Sequence, residues 1–261
     1  MTDPAGSTDG RRVSLAIADG VATLTLADPE HRNCVSAQMS GDVEEACQAI
    51  DDTRDVRVVV LQAHGPVFSA GGDIDSLERR DVPLEQLYRG FTALATLTVP
   101  TLAMVNGPVI GAGLNFALAC DVIVAAESAY FESRFLDIGI HPGGGVLWAL
   151  TQRGGRQMAA AMALFGERLA SHDAHRLGLV WQVVPDGELN EVGEQMAATV
   201  ARRPVDLLRR TKASLGASAP LTNRRDAVDL EAVAQGWSMQ QPAFHAGVAA
   251  LRARLQGQAE D

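Results

Sequence analysis

Apolar and polar residues alternate over Val13-Ser14-Leu15-Ala16-Ile17 and over Val21-Ala22-Thr23-Leu24-Thr25-Leu26, with Ala18-Asp19-Gly20 between them. Two period-two runs joined through Asp-Gly predict a β-hairpin, because the tight turn needs positive φ and these residues tolerate it. Ser36 then stands as an N-cap before a helically spaced stretch that runs through Ile50. Val56-Arg57-Val58-Val59-Val60-Leu61 is β-branched and nearly continuous, the pattern of a buried strand. Helix, strand, glycine turn and helix follow one another to about residue 150, which predicts an α/β architecture with parallel pairing. From Arg156 the apolar spacing is helical, interrupted by Leu179 to Val184 and its closing Pro185. The last sixty or so residues, broken at Pro204, Pro220 and Pro242, read as a longer helix followed by three short ones. The expected organisation is a disordered tail over 1–10, a core over 11–200 and a C-terminal helical region over 201–261.

Composition narrows the class. A chain of 261 residues that is 47% hydrophobic and 21% charged can bury a sizeable core. No apolar run approaches the ~18 residues of a membrane span, and Met1-Thr2-Asp3-Pro4-Ala5-Gly6 has no signal-peptide character, so a cytoplasmic protein is expected. Cys34, Cys47 and Cys120 lack CxxC spacing and are odd in number, which argues against a disulfide framework or a zinc site; no metal is expected. A formal charge of −10 disfavours nucleic acid, whose phosphates call for a basic face. Local positive charge does gather at Arg202-Arg203 and Arg209-Arg210-Thr211-Lys212.

The chemistry concentrates in two glycine-rich turns. Phe68-Ser69-Ala70-Gly71-Gly72-Asp73 follows one strand, and Asn106-Gly107-Pro108-Val109-Ile110-Gly111-Ala112-Gly113 follows the next and leads into the apolar stretch Leu114 to Ala119. Two such turns can bring two backbone N–H groups to one point, the usual way of holding a carbonyl oxygen as it becomes an oxyanion. Gly111-Ala112-Gly113 is not a dinucleotide fingerprint, since the third glycine and the surrounding βαβ unit are missing.

These turns, together with Asp28-Pro29-Glu30-His31-Arg32-Asn33, Cys120-Asp121 and Gly139-Ile140-His141-Pro142-Gly143-Gly144, resemble the crotonase (enoyl-CoA hydratase/isomerase) superfamily in order and spacing over nearly the whole chain. The resemblance implies a spiral of ββα units with a C-terminal helical region, assembly into trimers or hexamers, and an acyl-CoA thioester ligand, with coenzyme A as part of the substrate and no separate cofactor. It maps the two oxyanion amides onto Ala70 and Gly113. It implies that Arg32, Asn33, Gly71, Gly72 and Asp73 help to seat coenzyme A, with Lys212 reaching its phosphates.

The sequence departs from the family where its hydratases carry two glutamates that handle water and the α-proton. Those positions are Asn115 and Phe135, and neither side chain exchanges a proton near neutral pH. Asp137 and His141, on either side of Gly139, are the remaining acid–base candidates, Asp137 competing with a surface pair to Arg134 and His141 with a turn hydrogen bond. A small shift in alignment would bring in Glu132 instead. Phe135, Leu136 and Trp148 suggest an apolar acyl pocket. The expectation is a thioester-enolate enzyme of hydratase or isomerase type. Acyl-CoA binding without turnover, and decarboxylation or thioester hydrolysis on the same framework, stay open.

Overall fold

The computed structural model describes residues 10–257. The tail expected over 1–10 lies outside them except for Gly10. The chain divides into two compact units between Arg202 and Arg203.

The first unit opens with the hairpin β1 (Val13–Ala18) and β2 (Val21–Leu26), paired antiparallel in the register Val13 to Leu26. Asp19 and Gly20 take φ of 51° and 81°, as the Asp-Gly turn requires. Helix α1 (Ala37–Asp52) starts at Ser36, whose hydroxyl accepts the Met39 N–H at 3.1 Å. Next come β3 (Val58–Ala63), the short α2 (Ile74–Arg79) after Asp73, and the amphipathic α3 (Leu84–Thr96). The chain continues through β4 (Thr101–Val105), β5 (Val109–Ile110), a single 3-10 turn Gly111–Gly113, and α4 (Leu114–Ala119). Then follow β6 (Val122–Ala126), β7 (Tyr130–Glu132), α5 (Val146–Phe165), which breaks at Gly155, β8 (Leu169–Ala170) and α6 (Ser171–Arg176). The unit closes with β9 (Gln182–Val184) and α7 (Leu189–Ala201).

A six-stranded sheet runs β1-β2-β3-β4-β6-β9, parallel after the first hairpin, and β5-β7-β8 form a smaller sheet. One face of the large sheet packs on α7 through Val58, Val60, Leu102, Met104 and Val124. Strands covered in this way read as continuous apolar runs, which is why β3 and β4 lack alternation. The Gly111-to-Leu118 segment is buried along most of its length, so the turn preceding α4 is held from within the core.

The second unit consists of α8 (Val205–Ser218), α9 (Arg224–Ser238) and α10 (Pro242–Gly257). All three are of similar length, which corrects the expectation of one longer helix followed by short ones: the proline breaks are almost evenly spaced. Within this unit the Arg210 guanidinium stacks on the Trp237 ring at 4.2 Å. Among the described residues no helix is long and apolar enough to cross a membrane.

Candidate active site

Three loop segments are laced together at the ends of β3 and β4. Asn33 sits at φ 51° and is wholly buried; its amide donates to the His64 and Val67 carbonyls at 2.9 and 2.8 Å, and its Oδ1 accepts the Asp28 N–H at 2.9 Å. The Ser69 hydroxyl donates to the Asn33 carbonyl at 2.7 Å. Val35 N–H donates to Gly71 O and Asp73 N–H to Val35 O, while Ser69 N–H reaches Pro108 O and Ile110 N–H reaches Ser69 O. Gly107 passes so close to the Pro66 carbonyl that a Cβ there would lie 2.2 Å from its oxygen, so only glycine fits.

This lacing decides which amides are available. Ala70 N–H donates to the Arg32 carbonyl at 3.0 Å. Gly113 lies behind the wall, where a Cβ would meet the Ser69 hydroxyl at 2.5 Å, and the i→i+3 pattern of its 3-10 turn aims its N–H at Ile110. Gly72 stands opposite Val35, between the two residues that hydrogen-bond with it, so its own N–H faces the other way, and it makes no hydrogen bond among the described residues. Ala112 is in the first turn of a helical segment, where N–H groups lack an internal acceptor. Gly71, at φ 106°, brings the two turns together: its Cβ position is 3.1 Å from Ile110 O and 3.8 Å from Ala112 N.

Gly72 and Ala112 border one cavity of about 460 Å³, whose walls are largely Val35, Leu77, Leu87, Phe91, Ile110, Phe135 and Ile138. Its polar contributors are Tyr88, Asn115, Arg134 and His141, and among the described residues no Asp or Glu lines it. A wider hollow of about 950 Å³ beside α7 is lined by Arg57, Gln62 and Glu194, but neither glycine turn reaches it.

The model of the enoyl-CoA hydratase/isomerase family matches residues 16–258. The chain belongs to that family. It is 37% identical over 252 residues to the probable enoyl-CoA hydratase EchA14 of Mycobacterium tuberculosis, covering 93% of this chain and 98% of that protein. It is also 32% identical to the 1,2-epoxyphenylacetyl-CoA isomerase of Escherichia coli, over 91% of this chain and 94% of that one. Among solved structures, human enoyl coenzyme A hydratase domain-containing protein 3 superposes with a TM-score of 0.87 at 26% identity, covering 94% and 98% of the two chains. A crystal structure of a putative enoyl-CoA hydratase/isomerase from Mycobacterium abscessus gives 0.86 at 29% identity, covering 93% and 96%. The fold is therefore the α/β fold of the crotonase superfamily.

Against this family frame, the residues expected from the sequence separate. Ala70 borders the cavity, but its amide is engaged, and Gly113 is behind it; the pairing of these two as donors is corrected by the hydrogen bonds that tie Ala70 to Arg32 and by the packing of Gly113 on Ser69. Asn115 is 5% exposed and lines the cavity, with its amide donating to Ala112 O at 3.2 Å and Gly143 O at 3.3 Å. With Nδ2 so engaged, Oδ1 is the side chain's acceptor. Phe135, 7% exposed, forms part of the apolar wall. Leu136 and Trp148 do not line it, and Trp148 is 70% exposed.

Asp137 lies exposed on a 3-10 turn and does not line the cavity. Arg134 pairs with Glu132 at 3.0 Å, in place of the expected surface pair with Asp137. Glu132 pairs with Arg168 as well, at 3.2 Å, and does not line the cavity either. His141 does line it, and its Nδ1 donates to the Pro142 carbonyl at 2.7 Å, which leaves Nε2 as the acceptor of the neutral ring.

Of the residues expected to seat coenzyme A, Gly71 and Gly72 line the cavity, and Asp73 stands at the N-cap position of α2, outside the lining and without a side-chain capping bond. Asn33 is corrected: its side chain is a buried knot with every polar atom bonded to the protein. Arg32 is exposed in a left-handed conformation, and Lys212 belongs to the second unit, on α8. Sequence reasoning missed Tyr88. Its only signal was a phenol on the otherwise apolar face of Leu84, Leu87, Phe91 and Leu94.

Proposed function

We propose that this protein binds an acyl-CoA thioester with its carbonyl oxygen between the Gly72 and Ala112 N–H groups and promotes chemistry through the thioester enolate. What carries the reading is two unengaged amides from separate turns bordering one apolar cavity in a member of the enoyl-CoA hydratase/isomerase family. Donors already oriented by the fold need no reorganisation as charge moves onto the oxygen, and each is worth roughly 3 to 4 kcal/mol in comparable sites. Gly71 and Gly72 let the thioester approach the backbone, and Phe135 keeps the acyl side dry.

Ordinary hydration of an enoyl thioester is not part of the proposal. Addition of water needs a group that takes and returns protons beside the double bond, and among the described residues no carboxylate lines this cavity. The same lining supports a second reading, in which the protein holds acyl-CoA without turning it over.

The test uses crotonyl-CoA carrying ¹³C at its thioester carbonyl. Bound to the protein, the carbonyl resonance should move downfield while the enoyl absorbance and the mass stay unchanged. Loss of the enoyl band with gain of one water would make the protein a hydratase after all, and a bound carbonyl without a shift would leave only the carrier reading.

A further inference from the structure

We propose that the Tyr88 hydroxyl is the proton donor of this cavity, acting on the α-carbon of the thioester enolate. The inference rests on the enolate reading above and adds to it a catalytic residue from α3, an element outside both glycine turns and both glutamate positions.

Tyr88 lines the cavity with Gly72, Ala112 and Asn115. Its oxygen lies against the Gly143 backbone, where a Cβ would sit 2.3 Å away, and it takes a backbone hydrogen bond from Gly144. Gly144 itself has φ 74°, and a Cβ there would come within 2.9 Å of Asn115 Nδ2. Two consecutive glycines therefore make room for the phenol and the amide side by side. Asn115 carries the contact onward, donating to Gly143 O and to Ala112 O, the carbonyl of an oxyanion-donor residue. A chain of touching groups thus runs from the phenol to the point where the thioester oxygen is held. The ring is fixed from behind by Phe91, 5.5 Å between centroids, and Phe91 by Phe116 at 6.0 Å.

The Gly144 N–H beside the phenol oxygen favours charge on it, and among the described residues the O–H donates to no protein acceptor, which leaves it open to a ligand. Burial, with Glu85 adding to it, pushes the phenol above its ordinary pKa, so the proton is in place at neutral pH. No carboxylate competes for the role within the cavity, and the other titratable ring there, His141, has its Nδ1–H engaged with Pro142 and is exposed. In the step itself the enolate electron pair forms the new Cα–H bond as the Tyr88 O–H bond breaks. The thioester C=O is restored, and the tyrosinate, held by the Gly144 N–H, recovers its proton from water.

Run in reverse, the same step exchanges the α-hydrogens of a saturated thioester. The experiment follows deuterium incorporation into butyryl-CoA in D₂O by mass spectrometry, with wild-type protein, Tyr88→Phe and His141→Ala. Wild type should exchange above the solvent background, with a rate that rises with pH in step with the Tyr88 tyrosinate absorbance. That absorbance can be isolated as a difference from Tyr88→Phe because the chain has only two tyrosines. Tyr88→Phe keeps the ring and should lose on the order of a hundredfold in exchange, with butyryl-CoA affinity and the bound carbonyl shift unchanged, and the loss in exchange should be smaller in His141→Ala than in Tyr88→Phe. Wild-type exchange that survives in Tyr88→Phe, or disappears only in His141→Ala, overturns the assignment to Tyr88 and leaves the enolate reading standing. Loss of affinity and carbonyl shift together in Tyr88→Phe makes it a packing residue and overturns the catalytic role. A wild type that binds without a carbonyl shift or exchange overturns both readings.

Discussion

At the scale of the residue, the wall of the cavity depends on side chains that never reach it. Asn33 makes three hydrogen bonds from a fully buried position and adopts a left-handed φ that Asn tolerates better than most residues. Asn33→Ala leaves the Asp28 N–H and two carbonyls without partners inside the protein, at ~1 to 3 kcal/mol for each unsatisfied group. We expect a stability loss of at least about 3 kcal/mol in urea unfolding. A direct contact to coenzyme A would instead have predicted normal stability and weakened binding. The glycine turns and the replacement of both glutamates were legible in the sequence, because they are local. Which amide in each turn remains available was not legible, since Ala70 is engaged by a carbonyl 38 positions earlier and that pairing exists only in the folded chain.

Among the elements, the approach of α1 to α3 sets the side of the cavity that Leu87, Tyr88 and Phe91 occupy. The two helices touch at Gly90, where a Cβ would lie 2.7 Å from the Ser40 carbonyl oxygen and 2.8 Å from Ser40 Cα. The buried Ser40 hydroxyl donates to Leu87 O at 2.6 Å across the same contact. In Gly90→Ala, the gain in helix propensity of about 1 kcal/mol opposes an overpacking cost of about 1 to 3 kcal/mol. Because the clash is with backbone, the second effect should win. The variant should unfold at lower temperature in calorimetry, and its acyl-CoA affinity should fall as α3 is pushed outward. The hairpin, the Ser36 cap and the strand order of the core followed from periodicity and turn chemistry. The placement of Tyr88 did not, because a tyrosine on an apolar helical stripe looks the same whether its hydroxyl points to solvent or to a glycine pair 55 positions away.

At the scale of the whole molecule, several acidic groups are held protonated by the fold. Burial is the main cause at each: it raises Cys34 to about 11, helped by Asp73 and Asp28, and Cys47 to about 12, helped by Asp51 and Glu44; the Tyr88 phenol is raised as well. The unfolded thiols ionise near 9.0, so between that pH and the folded values the unfolded state binds fewer protons than the native one. Stability from these groups is complete below pH 9 and declines as pH rises toward 11 and 12. The unfolding free energy from urea titrations should be level from neutral pH to about pH 8.5 and then fall, by roughly 1 to 3 kcal/mol near pH 10. A level profile through that range would mean that the thiols ionise as easily in the folded protein as in the unfolded chain.

The two amides proposed to hold the thioester oxygen have a consequence for how this protein would look to a mutational survey. Ala112 is already alanine, and Gly72 contributes a group that every residue except proline also has. An alanine scan would leave one donor untouched and keep the other while changing only the space beside it. The positions that would score as essential are Asn33, Ser69, Gly107 and Gly113, whose task is to hold the main chain in place. A ranking by side-chain sensitivity would therefore outline the scaffold and pass over the hole at its centre.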